Sequence, residues 1–240
     1  MSVKVNRSIH PSKESRATDP GPESGGYYDR GYHASRHANL ILDDEYFWAR
    51  AKASTRLYFK PEERASRIFE YGCGVGQSIA TLPNAAGWDI SGEALEACRH
   101  RGLRVYSDFE EVPKGAWDIV LCRHALEHMP DPKVALQRMR TLLSGNGQIY
   151  IIVPMEKHGA ASFAPDSNRH LFSWTFRTLN NLLWECGFEA TENRVIRVLG
   201  YRALLPLRRF MGERWYEIAL KAAGWFLRNG ELAVKGRLRR

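Results

Sequence analysis

Residues 68–77 read IFEYGCGVGQ, a short apolar run followed by three glycines at alternate positions. The apolar run predicts a buried β-strand, and the glycines predict a tight turn that leads into a helix. Because glycine has no Cβ atom, Gly72, Gly74 and Gly76 would let a ligand approach the backbone closely. The N-terminus of the following helix would add free N–H donors. We therefore predict a nucleotide-type site at the end of this strand.

The turn differs from two other nucleotide-binding loops. The dinucleotide pattern GxGxxG would need a glycine where Gln77 stands, and a P-loop would need GK followed by Ser or Thr. Glu70, two residues before the first glycine, would repel a pyrophosphate but attract a cationic amino acid group. The charge therefore favours a nucleoside that carries a cationic amino acid over NAD(P).

The segments around the turn alternate between β-rich and helical patterns. Strands are predicted at residues 67–71, 87–90, 104–106, 117–122, 148–153 and 188–198, and helices from the glycine turn to Leu82 and at residues 92–101, 131–143 and 173–186. Ser91 and Asp131 are expected to cap two of these helices, and Gly102 is expected to end one. This alternation predicts an α/β fold with a Rossmann-like, doubly wound and mostly parallel sheet.

The glycine turn and the motifs that follow it resemble class I S-adenosylmethionine-dependent methyltransferases. HALEHMPDP at residues 124–132 and NRHLFS at residues 168–173 are similar to the small-molecule branch that includes ubiquinone-biosynthesis methyltransferases. The resemblance runs from about Tyr27 to Val198 and implies a seven-stranded sheet with S-adenosylmethionine as cofactor. Two details depart from the pattern: the short spacing from Gly76 to Asp89, and residues 144–147, which read SGNG where PGG is common.

The resemblance also implies which residues hold the cofactor. Asp89, with Ile90 beside it, is similar to the acidic residue that binds both ribose hydroxyls. Asp108 and Phe109 are similar to the pair that contacts adenine, and Arg123 and His124 occupy the position that lines the methionine end. The cofactor-binding set predicted here is Tyr28, Glu70, Gly72, Cys73, Gly74, Gly76, Asp89, Ile90, Asp108, Phe109, Arg123 and His124.

Residues 124–128 also satisfy HxxEH, a zinc-protease pattern in which two histidines share one face of a helix. That chemistry needs a sustained helix and a third ligand, whereas this segment follows a strand directly and reaches Pro130 two residues after His128. We expect no metal. In our interpretation His124 lies near the cofactor, while Glu127 and His128 face the pocket or a turn.

Methyl transfer needs an aligned nucleophile and, for a hydroxyl group, a general base. We predict His128 and His170 as catalytic candidates at the acceptor pocket. The structural alternatives are that His128 only satisfies the start of a helix and that His170 only packs on Phe172.

Residues 1–26 are rich in Ser, Pro, Gly and charge, which predicts disorder. The cluster Tyr27, Tyr28 and Tyr32 could form a lid over the cofactor, as the start of an N-terminal helical lid, or could pack as core. Residues 27–199 form the predicted methyltransferase domain.

The net charge of +8 is concentrated at the end of the chain. Residues 201–240 carry ten basic and three acidic groups, and the first 200 residues carry 25 basic and 24 acidic groups. We predict that residues 200–240 form a basic, amphipathic helical extension, with helix over 203–228. It could contact a membrane peripherally, or it could cover the sheet edge or form a homodimer interface.

The sequence lacks an export signal, an apolar run long enough to span a membrane and any CxxC spacing, so we expect a cytoplasmic protein with reduced cysteines. Three function classes remain. The first is methylation of a small-molecule, lipid or glycan-type acceptor, expected at oxygen; the second is methylation of nucleic acid, which the absence of a recognisable RNA-binding signature disfavours. The third is cofactor binding without catalysis.

Overall fold

The computed structural model describes residues 37–156 and 168–239, and its centre is a seven-stranded sheet. The strands are β1 (Ile68–Tyr71), β2 (Ala85–Trp88), β3 (Val105–Tyr106), β4 (Trp117–Arg123), β5 (Leu143–Pro154), β6 (Phe188–Ile196) and β7 (Glu231–Leu238). Their order across the sheet is β3-β2-β1-β4-β5-β7-β6. The first five strands pair in parallel, and β7 runs antiparallel between β5 and β6. The predicted mostly parallel, seven-stranded α/β sheet is confirmed.

Helices cover both faces of the sheet. The described ranges contain α1 (Ala38–Leu42), α2 (Asp44–Tyr58), α3 (Gly92–His100), α4 (Pro132–Leu142), α5 (Phe176–Glu185), α6 (Leu205–Met211) and α7 (Glu213–Phe226). One apolar layer joins α1, α2, α3, α6 and α7, and the other joins α4 and α5. The described part of the predicted N-terminal lid, α1 and α2, is therefore a layer of the core. No helix in these ranges is long and apolar enough to cross a bilayer.

The predicted helix ends are confirmed where a local signal set them. The Ser91 hydroxyl accepts from the backbone N–H of Ala94 at 3.2 Å. One carboxylate oxygen of Asp131 accepts from Lys133 and Val134, both at 3.0 Å. Gly102 follows α3 with a φ of +72°, the left-handed conformation that ends many helices.

The helix predicted between the glycine turn and Leu82 is wrong. Residues 72–84 form successive turns, with one helical-type bond from Ala80 N–H to the Gly76 carbonyl at 3.0 Å. The physical reason is length: β2 begins at Ala85 and Pro83 lacks an N–H, so a helix has no room to propagate. The turn therefore contributes backbone N–H groups without a long helix behind it.

The predicted helical extension over residues 200–240 is only partly correct. Residues 205–211 and 213–226 are helical, but Glu231–Leu238 forms β7 in the interior of the sheet. Ile151 pairs with Val234 on one side, and Asn193 pairs with Val234 on the other. The last strand of the sheet therefore extends to Leu238. The domain boundary that was expected at residue 199 thus falls inside a single folded unit.

Candidate active site

The glycine turn lies at the carboxyl edge of the sheet, directly after β1. Gly72, Gly74 and Gly76 have φ values of +75°, +51° and +80°, which side-chain-bearing residues rarely adopt. A Cβ atom on Gly72 would lie 2.7 Å from the Ala125 Cβ, and one on Gly76 would lie 2.5 Å from Leu103 Cδ1. The turn therefore needs glycine, as the sequence predicts, and its backbone forms a cradle.

Asp89 joins the ends of β1 and β2. Its two carboxylate oxygens accept from Gly74 N–H at 2.7 Å and from Ser91 N–H at 2.9 Å. Each oxygen has a second lone pair, so the group keeps capacity to accept from a ligand hydroxyl. The neighbouring Ile90 side chain is 49% exposed, which leaves an apolar surface beside that carboxylate.

Glu70 lies under the turn instead of at its mouth, because only 2% of it is exposed. Burial raises the pKa of Glu70 to about 8, so the carboxyl group holds a proton at neutral pH. Its Oε2 atom has no hydrogen-bond partner among the described residues. The thiol of Cys73 is also buried, so Cys73 offers a ligand its backbone alone.

Asp108 and Phe109 follow β3, but only one of them is exposed. Asp108 accepts from Glu110 N–H at 2.9 Å and remains open to solvent. The Phe109 ring is buried, with its centroid 5.7 Å from that of Tyr71 and 5.6 Å from that of Trp88. Much of the Phe109 ring is therefore packed in the core, and Asp108 is the more accessible residue of the pair.

A buried ionic network links the end of β4 to the start of β7, on either side of β5. Glu231, at the start of β7, accepts from Arg123 Nη2 at 2.8 Å and from the Tyr58 hydroxyl at 2.8 Å. Its Oε1 atom also lies 2.7 Å from His124 Nε2. Burial opposes a charge on Glu231, but the Arg123 charge and the hydrogen bond from His124 hold its pKa well below the ordinary range. Sequence reasoning missed Glu231 because it lies in the segment predicted as a helical extension.

This network fixes the tautomer of His124. Burial, together with the nearby Arg123 charge, lowers the pKa of His124, so its ring is neutral at pH 7. Because Glu231 is ionised, the Nε2 atom must carry the proton and donate it, which leaves a lone pair on Nδ1. The His124 backbone has a φ of +51°, a strained conformation for a non-glycine residue. The side chain is 35% exposed, so the ring is both held and reachable.

Glu127 lies among the predicted histidines. Its Oε1 atom is 3.8 Å from His124 Nδ1 and 4.0 Å from His128 Nε2. Burial raises the pKa of Glu127 to about 8, and neither carboxyl oxygen has a hydrogen-bond partner among the described residues. The structure therefore presents a neutral, buried carboxyl group with unused hydrogen-bonding capacity.

The two predicted catalytic histidines are brought together beside this carboxyl group. The ring centroids of His128 and His170 are 4.8 Å apart, and His170 Nδ1 bonds to Glu156. Backbone N–H groups of Leu171 and Phe172 donate to the Glu127 carbonyl. The His170 ring therefore packs on His128, while the ring of Phe172, its partner in the structural alternative, stacks on Trp174.

The structure modifies the argument against a metal. Leu126–His128 is a short 3₁₀ turn, which agrees with the expectation that no sustained helix forms here. His170, however, adds a candidate ligand beside Glu127 and His128, in a group that does not include His124. Ligand atoms of Glu127, His128 and His170 lie within 4.8 Å of one another, so this set could hold a metal ion.

Some predicted features lie outside the described residues. These are Tyr28, with its neighbours Tyr27 and Tyr32, and the segment 1–26 that was predicted to be disordered.

A separate cleft of about 480 Å³, lined in part by Arg67, Asn84 and Trp117, lies at the amino ends of the strands. It faces away from the glycine turn, whereas ligands of open α/β sheets bind at the carboxyl ends. We therefore place the candidate site at the glycine turn.

Comparison with known protein families finds a match over more than half of the chain. A family model described as "Methyltransferase domain" matches residues 43–193. A ubiquinone biosynthesis O-methyltransferase from Ralstonia nicotianae is 32% identical over 98 residues, which covers 35% of this chain and 41% of that protein. The alignment therefore spans about two fifths of the length of this curated relative.

Two solved structures share the fold. A 1,6-didemethyltoxoflavin-N1-methyltransferase from Burkholderia thailandensis has a TM-score of 0.57 at 18% identity, with 92% of both chains covered. A SAM-dependent methyltransferase from Thermotoga maritima also has a TM-score of 0.57 at 18% identity, with 90% of this chain and 100% of the other covered. At these identities the likeness shows the fold alone.

Proposed function

The chain belongs to the methyltransferase domain family, and on that premise we propose that it transfers a methyl group from S-adenosylmethionine to the oxygen of a small-molecule or amphiphilic acceptor. The observation that carries the choice of oxygen is the pair formed by His124 and Glu231. A hydroxyl group is a weak nucleophile unless a base removes its proton during attack. A neutral histidine oriented by a carboxylate is suited to that role.

The glycine turn fits S-adenosylmethionine in this proposal. The cradle of Gly72, Gly74 and Gly76 would lie against the nucleoside, and Asp89 would accept from the ribose hydroxyls. Ile90 and the exposed Asp108 would flank the adenine. When bound, this cofactor supplies an electrophilic methyl group on a sulfonium centre.

The unpartnered oxygen of Glu70 supports the same assignment. A cationic ammonium group near this carboxyl would lower its pKa from about 8 and favour the ionised form. A neutral or anionic ligand would offer no such gain. Glu70 would therefore bind the amino acid end of the cofactor by exchanging its proton for an ionic contact.

The acceptor hydroxyl would bind in the cluster around Glu127. The free hydrogen-bonding capacity of this carboxyl group would orient the hydroxyl, with His128 and His170 lining the same pocket. His124 Nδ1 would take the hydroxyl proton as the oxygen bonds to the methyl carbon and the carbon–sulfur bond breaks. The products are the methyl ether, S-adenosylhomocysteine and a histidinium ion, which Glu231 stabilises.

Two measurements test this function. Calorimetric titration with S-adenosylmethionine should show one site per chain, and tritiated methyl transfer should label a lipid or metabolite extract in preference to tRNA. Labelling of tRNA alone would favour the nucleic-acid alternative. Binding without transfer to any extract would favour a protein that holds the cofactor without catalysis.

The proposal includes three expectations, which concern the location of the protein, its contact with a membrane and its oligomeric state. We expect the protein to work in the cytoplasm, with a peripheral contact to the membrane through the helical part of residues 201–240. A homodimer would compete with the membrane for the same exposed apolar residues, and we favour the membrane.

A further inference from the structure

Helix α7 carries two apolar faces, whereas a helix at a protein surface normally has one. The inner face is buried against the core through Tyr216, Leu220 and Gly224. A second set of apolar residues, which we call the outer face, is exposed and consists of Trp215, Ile218, Ala222, Trp225 and Phe226. At helical spacing these residues form one stripe opposite the inner face.

The aromatic residues of the outer face are among the most exposed large apolar side chains that the structure describes. Trp225 is 71% exposed and Phe226 is 78% exposed. Exposed apolar surface of this kind marks contact with another protein or with a membrane.

The charges around the outer face are positive. Arg214 and Lys221 are exposed along one border of the stripe, and Arg228 follows the helix. The two glutamates of α7 are turned toward the protein. Glu213 accepts from Arg208 at 2.7 Å, and Glu217 pairs with Arg56. The outer face therefore combines aromatic side chains with cations that face solvent.

The end of α7 lies at the same edge of the sheet as the candidate site. Asn229 Nδ2 donates to the Val198 carbonyl at 3.0 Å, and Met155 N–H donates to the Gly230 carbonyl at 2.9 Å. Met155 follows the carboxyl end of β5, and the next residue after Gly230 is Glu231. Trp225 and Phe226 are therefore a few residues from the carboxylate that holds His124.

From these observations we infer that the outer face of α7 docks on an anionic lipid bilayer. Tryptophan and phenylalanine insert readily at the boundary between headgroups and acyl chains, and Arg and Lys bind anionic headgroups. A symmetric contact between two copies would instead bring Arg214 and Lys221 of both copies together. Because both glutamates of the helix face inward, nothing on this helix face would neutralise that repulsion.

Docking does not depend on the reaction. One consequence rests on the proposed function: a docked enzyme would present the His124–Glu231 edge close to the bilayer, where an amphiphilic acceptor is found.

The test is binding of the full chain to vesicles of phosphatidylcholine, alone or mixed with phosphatidylglycerol, measured by co-sedimentation. We expect binding to the mixed vesicles that weakens as salt is added.

The double variant Trp225→Ser and Phe226→Ser removes the aromatic residues, and the double variant Arg214→Glu and Lys221→Glu reverses the charge. Each should weaken binding by about tenfold or more. Trp184→Ser is the matched control, because Trp184 is an exposed tryptophan of α5 in the opposite layer.

Circular dichroism and cofactor titration are run on every variant, so that loss of docking is separated from misfolding and from failure of the proposed function. The inference is overturned if the wild-type chain binds neither kind of vesicle, or if the outer-face variants bind as well as the Trp184→Ser control. It is also overturned if light scattering shows a dimer that the charge reversal leaves intact and the aromatic substitutions dissociate. Binding that appears only after residues 1–36 are removed would assign the outer face to that segment and also overturn it.

Discussion

His124 Nε2 lies 2.7 Å from Glu231 Oε1, although 107 positions separate the two residues in the chain. The contact exists because β7 runs antiparallel beside β5, which places the first residue of β7 at the carboxyl edge of the sheet. The last strand of the chain therefore completes a site whose glycine turn and His124 follow strands β1 and β4. Glu231 acts in this arrangement as a positioning residue for His124.

Replacing Glu231 with Gln tests this role. The amide cannot stabilise a histidinium ion as the carboxylate does, so we expect kcat to fall by roughly 10² to 10⁴ while cofactor affinity changes little. The pH profile should also change. Activity needs neutral His124, and loss of the anion lowers the His124 pKa further, so the acidic limb of the profile should shift to lower pH.

Two controls separate positioning from a structural effect. Tyr58→Phe removes another hydrogen bond to the same carboxylate, and Glu192→Gln removes a glutamate of β6 that pairs with Lys60 at 3.1 Å. Both should keep the wild-type acidic limb. An unshifted limb in the Glu231→Gln variant, with activity lost only in proportion to folded protein, would contradict the role.

Sequence reasoning predicted the parts of the fold that local signals encode. Strands β4 and β5 were predicted from their apolar runs, and two helix starts were predicted from the capping residues Ser91 and Asp131. These signals are local, because strand burial and helix capping depend on neighbouring residues. The glycine turn was recognisable for the same reason. Gly72 and Gly76 are required by their local backbone conformation and by close contacts within the turn region.

The sequence did not reveal β7, because its burial depends on distant partners. Lys235 and Glu231 are charged residues in a short segment, and both are buried. Lys235 pairs with Glu63, and Glu231 pairs with Arg123 and His124. A charged residue is normally expected at the surface, and only the folded arrangement identifies the opposite charge that permits its burial.

Glu70→Gln should stabilise the protein and weaken cofactor binding. The folded pKa of Glu70 is about 8, above the ordinary value of 4.5, so the folded state binds more protons between those two pH values. This group therefore lowers wild-type stability as pH rises through that window, and Gln removes the effect. We expect the variant to gain roughly 1 to 3 kcal/mol in unfolding free energy at pH 8 and less at pH 5.

Urea unfolding at the two pH values measures the gain, and calorimetry measures affinity for S-adenosylmethionine. Glu127→Gln is the comparison, because the pKa of Glu127 is also about 8 but the residue lies at the acceptor cluster. It should show a similar pH-dependent gain and keep cofactor affinity. Equal affinity of the Glu70→Gln variant and the wild type would refute the assigned role of Glu70.

Gly72→Ala in the glycine turn and Gly115→Ala, two residues before β4, form a matched pair of substitutions. Both positions have positive φ, +75° and +64°, so both substitutions strain the backbone by about 1 kcal/mol or more. Only at Gly72 would the new Cβ meet another atom, Ala125 Cβ at 2.7 Å, whereas nothing lies within 4 Å at Gly115. We expect a loss of cofactor affinity of tenfold or more for Gly72→Ala and none for Gly115→Ala, by calorimetry. Similar affinities in the two variants would mean that the shape of the turn is not what the ligand needs.

Deleting residues 229–240 should abolish cooperative folding, although the sequence predicts that this segment belongs to an extension beyond the methyltransferase domain. The deletion removes the buried Leu232, Ala233 and Val234 and the hydrogen bonds of β7 to both of its neighbours. Strands β5 and β6 would each expose an unpaired edge, which promotes aggregation. Arg123 would also lose its carboxylate partner, and an unpaired buried charge costs about 3 to 5 kcal/mol.

Thermal unfolding followed by circular dichroism should show no cooperative transition, whereas removal of Arg239 and Arg240 alone should leave the transition close to that of the full chain. A truncated chain that unfolds cooperatively at the wild-type temperature would show that β7 is an accessory strand, and the pairing of Glu231 with His124 would then be dispensable for the fold.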